Sequence, residues 1–232
     1  MKIYGLQKMT LLDYPGHVAC TVFLGGCDFR CPFCHNYELA CGKAEAVMED
    51  RDFLTFLEKR TGLLDGVAFT GGEPLLTAGL PDLMRAVREK GFRVKLDTNG
   101  YHPEKLRNLL EEGLVDYVAM DIKNSPGKYA LTCGIRDAGR LDLSRIRESI
   151  RLLMTGPADY EFRTTVVREL HEAADFEEIG QMISGARRYF LQCFTDRDTV
   201  PYKNMTAPEP GQMEHFAEIA RRYVPDTQLR GV

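Results

Sequence analysis

Val18-Ala19-Cys20-Thr21-Val22-Phe23-Leu24-Gly25-Gly26-Cys27-Asp28-Phe29-Arg30-Cys31-Pro32-Phe33-Cys34 joins an apolar run to a glycine turn and then to three cysteines. The run from Val18 to Leu24 reads as a buried strand. Gly25 and Gly26 allow a sharp exit from it, and loops at strand ends are where α/β proteins place their chemistry. The spacing C-x3-C-x2-C draws three thiolates from one short loop. A cubane [4Fe-4S] cluster is ordinarily held by four cysteines, so three leave one iron open to a substrate or cofactor. A structural zinc site and a simple electron carrier stay open at this point. Zinc asks for four Cys or His ligands; His35 would have to fold back sharply, and Cys41 lies beyond a polar stretch. A disulfide framework does not suit seven cysteines in 232 residues with no basic-then-apolar leader, which assigns the thiols to a reducing cytosol.

Outward from this stretch the chain alternates short β-like runs with amphipathic ones. Strands are expected over 66–70, 92–96, 117–120, 160–167 and 188–194. Helices are expected from about 50 to 57, 80 to 90, 103 to 112, 143 to 154, 176 to 183 and 213 to 223. Gly91 and Gly113 mark helix stops and Pro103 a helix start. A strand followed by a helix, six times over, predicts parallel α/β architecture with right-handed crossovers. Six units fall short of a complete barrel, so the expectation is a partial (β/α)6 TIM-like barrel. In one domain spanning 1–232, residues 1–17 would form an N-terminal extension, 18–194 the six units, and 195–232 a proline-containing connector and last helix.

Bulk properties narrow the function. Thirty Lys and Arg against 34 Asp and Glu leave a net charge of −4, which gives no electrostatic case for nucleic acid or an anionic membrane. No apolar run approaches the length of a membrane span.

In such a barrel the ends of the first four strands open onto one rim. Thr70-Gly71-Gly72-Glu73-Pro74 would expose backbone groups and one carboxylate there, although alone it also reads as a plain turn. Asp97-Thr98-Asn99-Gly100 is another turn of common type. Asp121 and Lys123, two apart at a strand end, point to one face and would serve either a ligand or a structural ion pair. Cys20 and Cys193 read as buried strand residues, Cys41 and Cys133 as isolated. No second cysteine-rich motif accompanies the first. His35 reads as a loop hydrogen-bonding residue beside the triplet.

Together these segments resemble the radical S-adenosylmethionine (SAM) superfamily, and within it the glycyl-radical-enzyme activating enzymes. The resemblance rests on the cysteine triplet with Phe33 before its last member, on Gly71-Gly72-Glu73, on Leu96 to Gly100, and on Asp121-x-Lys123. The opening Leu6 to Gly16 is most similar to activating proteins of anaerobic ribonucleoside-triphosphate reductase. The resemblance implies one [4Fe-4S] cluster on Cys27, Cys31 and Cys34, whose open iron chelates SAM. It implies reductive cleavage to a 5′-deoxyadenosyl radical and hydrogen abstraction from a glycine of a partner glycyl radical enzyme, with a flavodoxin- or ferredoxin-type electron donor. Gly71, Gly72 and Glu73 would hold the methionine ammonium. Asp97, with Asn99 of its turn, and Asp121 would sit near SAM, where related activases bind a monovalent cation. Lys123 and Arg163 would meet the carboxylate, and Gln192 the ribose or the same edge. The alternatives are a radical SAM enzyme acting on a small molecule or peptide, and a non-enzymatic iron–sulfur or zinc module.

Overall fold

The structure is a computed structural model that describes all 232 residues. Its frame is an eight-stranded sheet in the order β10-β9-β8-β7-β6-β5-β3-β2. β2 (Gly5–Thr10) runs antiparallel to β3 (Ala19–Leu24), and every other neighbouring pair is parallel. Before it, β1 (Lys2–Ile3) pairs with β4 (Met48–Glu49) in a separate ribbon. The parallel strands continue as β5 (Gly66–Gly71), β6 (Arg93–Thr98), β7 (Tyr117–Asp121), β8 (Asp159–Val166) and β9 (Tyr189–Cys193). The six strands expected from the sequence are all present, joined by a seventh parallel strand, β10 (Thr227–Arg230). Its Thr-Gln-Leu-Arg sequence buries only Thr227, so no apolar run announces it; pairing with β9 makes it a strand. The supposed N-terminal extension likewise contributes β2 to the sheet edge.

Helices α2 (Asp50–Glu58), α3 (Leu80–Glu89), α4 (Pro103–Glu111), α6 (Leu143–Thr155), α7 (Ala173–Met182) and α8 (Pro210–Arg221) cover one face. Their boundaries follow local chemistry. Glu49 and Asp52 form a capping box at α2, Asp142 caps α6, and prolines open α4 and α8. Apolar stripes such as Leu106, Leu109 and Leu110 on α4 pack against outward strand residues such as Val94 and Leu96 in one large core. Two four-residue helices, α1 (Tyr37–Ala40) and α5 (Tyr129–Thr132), sit in loops and carry too few turns for a periodic signal. No helix is long and apolar enough to cross a membrane.

The inner face of the sheet is different. Alternation puts Thr21, Lys95, Asp97, Tyr117, Asp121, Glu161, Arg163 and Gln192 on it. Tyr14, from the opening stretch, meets Tyr117 with ring centroids 6.0 Å apart, and with Ala19 and Ala119 they form a small separate cluster that closes one end. Above it Arg230 grips Glu161 with both guanidinium nitrogens at 2.8 and 3.0 Å, and Tyr117 Oη donates to the same carboxylate at 2.7 Å. The strand ends at the opposite rim remain accessible.

Candidate functional site

A cavity of about 390 Å³ opens at that rim. Its wall includes Cys27, Cys31, Phe33 and Cys34 from the loop after β3 and Thr70, Gly71 and Gly72 from the end of β5. Asp97, Thr98 and Asn99 at β6, Asp121 and Lys123 at β7, Arg163 and Thr165 on β8, and Gln192 on β9 complete it. The segments expected to converge at strand ends do converge.

The cysteine loop is tied down on two sides. Asp28 accepts hydrogen bonds from Asn99 Nδ2 (2.9 Å) and pairs with His102 Nε2 (2.9 Å), which fastens the loop to the turn after β6. Burial works against the Asp28 charge, yet these partners outweigh it and hold its pKa low. His35 stacks flat on Phe194, with centroids 5.6 Å apart, and its Nε2 lies 2.6 Å from the Thr195 carbonyl. That matches its expected role as a loop hydrogen-bonding residue. Burial pushes the Cys27 thiol up to about 12 and also raises Cys34. Both therefore keep their protons unless a metal takes the proton's place, as a thiolate-ligated cluster does. Cys31 is the exception. The neighbouring Cys133 thiol and the Lys123 charge lower it, so Cys133, which reads as isolated in the sequence, lies close to a member of the triplet.

The Gly-Gly turn packs against the first residues of the cysteine loop at close range. Gly71 has φ +118°, and a Cβ there would lie 2.3 Å from the Leu24 carbonyl oxygen; one on Gly72 would lie 2.0 Å from that of Gly26. Only glycine allows this approach. Gly72 N–H donates to Leu24 and Glu73 N–H to Gly26, while the Gly72 carbonyl has no partner within the chain. Glu73 departs from expectation. Its side chain is completely buried and absent from the cavity wall, because Oε1 accepts from Leu75 N–H (3.0 Å) and Thr98 Oγ1 (2.9 Å) and Oε2 from Asn99 N–H (2.7 Å). It pins the β5 turn to the β6 turn from beneath. Desolvation raises its pKa to about 7 despite these three donors.

Across the cavity floor runs a chain of opposite charges. Lys95 Nζ contacts Asp97 Oδ1, and Arg163 Nη1 lies 3.5 Å from Asp97 Oδ2. Arg163 Nε donates to Asp121 Oδ1 at 3.0 Å and Lys123 Nζ to Asp121 Oδ2 at 2.9 Å. Every oxygen of the two aspartates thus faces a nitrogen cation. Burial opposes their ionisation, but Lys123 and Arg163 hold Asp121 down to about 2, and Arg163 and Lys95 keep Asp97 low. The side chains of Lys123 and Arg163 reach the cavity wall, whereas that of Lys95 is buried beneath it. His171 accepts from Val167 N–H at Nδ1, so its Nε2–H donates to the Lys123 carbonyl (3.0 Å) and steadies that loop.

Twelve of the expected site residues line the cavity and Glu73 lies behind it. Sequence reading missed Lys95, whose single charge in a strand gives no motif, and Asp13. Asp13 lines the cavity and accepts from Thr21 Oγ1 at 2.6 Å; it belongs to the opening stretch.

Residues 21–174 match the family model of the radical SAM superfamily. A Methanocaldococcus jannaschii protein assigned as a glycyl-radical enzyme activating enzyme is 30% identical over 99% of this chain and 96% of its own length. A pyruvate formate-lyase-activating enzyme of Clostridium pasteurianum is 34% identical over 53% of the chain, which spans only 52% of that enzyme. Among solved structures, Streptococcus suis SuiB bound to S-adenosylmethionine superposes with a TM-score of 0.67 at 12% identity, over 91% of this chain and 52% of that one. At that identity it supports the fold. The chain belongs to the radical SAM superfamily, among the glycyl-radical-enzyme activating enzymes, a family that implies a [4Fe-4S] cluster and SAM. The donor types fit both groups: three cysteine sulfurs share one cavity wall with the Gly71–Gly72 backbone and with the cations Lys123 and Arg163.

Proposed function

We propose that this radical SAM protein is an activase that takes a hydrogen atom from a glycine of a partner glycyl radical enzyme, the partner being an anaerobic ribonucleotide reductase. The observation that carries this reading is the sharing of one cavity by the cysteine triplet, the Gly71–Gly72 turn and the Asp97–Arg163–Asp121–Lys123 tier. Cys27, Cys31 and Cys34 hold the cluster. Bound there and reduced, the cluster would supply the one electron for reductive cleavage of SAM to methionine and a 5′-deoxyadenosyl group, which would take up the glycine hydrogen atom and leave as 5′-deoxyadenosine. The unpartnered Gly72 carbonyl accepts from the methionine ammonium, and Glu73 beneath it favours that positive charge once its proton is lost. Lys123 and Arg163 meet the methionine carboxylate. Phe33, Asn99 and Gln192 shape the walls against which the rest of SAM lies and exclude water. A monovalent cation beside Asp97 and Asp121 would meet carboxylates whose oxygens already face nitrogen cations. The enzyme works in the cytoplasm with a flavodoxin- or ferredoxin-type donor.

The decisive experiment is anaerobic. Reconstituted protein, SAM, reductant and the candidate reductase should give a glycyl radical by EPR, and no radical with any glycyl radical enzyme would sink the activase assignment. Cys31→Ala should lose both the visible cluster absorption and 5′-deoxyadenosine formation; survival of either contradicts the ligand set.

A further inference from the structure

Two carboxylates near one another at the cavity floor are an arrangement that invites a small cation. In this chain the invitation is already answered from within. Lys95 stands two residues before Asp97 on the same face of β6, with its side chain only 3% exposed, and its ammonium contacts Asp97 Oδ1. Arg163 spans the remaining Asp97 oxygen and one Asp121 oxygen, and Lys123 takes the last. We infer that the Lys95 ammonium stands in for a monovalent cation, so that SAM binding by this protein is independent of potassium or sodium. The inference rests on the cavity being the SAM site.

Charge bookkeeping supports it. The alternating series Lys95, Asp97, Arg163, Asp121, Lys123 contains three cations and two anions. Its single excess positive charge is matched by the single negative charge of the methionine carboxylate. An added potassium or sodium ion would set a further positive charge beside a series that already carries one in excess, where like charges repel. It would also find no oxygen of Asp97 or Asp121 free of a nitrogen partner. Lys95 is a positioning residue here. It lies behind the cavity wall and acts on SAM through Asp97 and Arg163, whose guanidinium it leaves free to be shared with the incoming carboxylate.

The test is SAM affinity by equilibrium dialysis of the reconstituted protein. It is run in chloride buffers of potassium, sodium or tetramethylammonium at equal ionic strength, with sodium NMR line width as an independent measure of ion binding. Wild-type affinity should agree within about two-fold across the three salts, and sodium should show no specific broadening; Lys95→Met should lose about ten-fold in tetramethylammonium and regain it in potassium. Lys95→Arg, which retains the charge, should behave as wild type. A wild-type protein whose affinity rises about ten-fold with potassium overturns the inference, as does a Lys95→Met protein that binds equally in every salt. The wild-type salt series needs no variant and decides the matter even if Lys95→Met does not fold. Absence of SAM binding in every salt strikes the reading of the cavity itself, which is a different failure from binding that needs potassium.

Discussion

Glu73 and the pair Asp97 and Asp121 are carboxylates of the same rim, yet the protein treats them in opposite ways. Glu73 is surrounded by neutral donors, two backbone N–H groups and one hydroxyl, and desolvation raises its pKa to about 7. Asp121 is flanked by Lys123 and Arg163, which bring it down to about 2 although burial pulls the other way. A carboxylate ringed by neutral donors stays short of a cation and can welcome one from outside. A carboxylate that already has its cations instead fixes where those cations point. On the proposed function, the Gly-Gly turn would receive positive charge and the tier across the cavity would present it, so that one ligand carrying both an ammonium and a carboxylate, as SAM does, would satisfy both sides.

The largest effect should come from breaking the self-paired side. Asp97→Ala leaves Lys95 and one face of Arg163 buried without a counter-charge, and urea unfolding should report a loss of about 4 kcal/mol. A loss below about 1 kcal/mol would mean that the tier is solvated rather than self-paired. Titration tests the contrast directly. Glu73 rises from an ordinary 4.5 to about 7 on folding, so the folded chain holds a proton that the unfolded chain has released. Apo-protein stability should accordingly fall as pH climbs from 4.5 through 7, by on the order of 3 kcal/mol, and Glu73→Gln should flatten that limb. Asp121 has the opposite sign: its stabilisation is present above 3.8 and is lost as pH drops through about 2. An unchanged slope in Glu73→Gln would remove Glu73 as its source.

A steric change separates shape from charge. Gly72→Ala places a methyl 2.0 Å from the Gly26 carbonyl oxygen without altering any charge. It should cost about 2 kcal/mol by thermal unfolding and lower the cluster content after reconstitution, because the cysteine loop must move. Full cluster occupancy in this variant would show that the two turns tolerate separation. The smallest effect belongs to the clasp between the cysteine loop and the turn after β6. His102→Phe removes one hydrogen bond to Asp28 and should cost about 1 kcal/mol in chemical denaturation. The pH limb assigned to Glu73 should be unmoved by it.

Much of this was legible in the chain because the relevant signals are local. An apolar run, a glycine pair and three cysteines at fixed spacing announce a strand, a turn and a metal loop without reference to the rest of the molecule. The same holds for the helices, whose stripes and caps lie within a few residues of one another. β10 escaped because its strand character comes from its partner β9 rather than from its own residues. Cys133 escaped for a similar reason: its neighbour Cys31 is distant in sequence and reaches it only through the packing of α5 against the cysteine loop, where Arg30 N–H donates to the Cys133 carbonyl at 2.8 Å.

By itself, the sequence determined the parallel strand-helix order, the cysteine triplet and the residues gathered around it, since periodicity and spacing are properties of neighbours along the chain. The tertiary structure alone decided what each charge does. Whether Glu73 faces the cavity or lies beneath it, and whether the aspartates await a cation or already hold Lys95, Arg163 and Lys123, depends on register between strands far apart in sequence. Desolvation and counter-charges follow from that register, and no linear pattern encodes them.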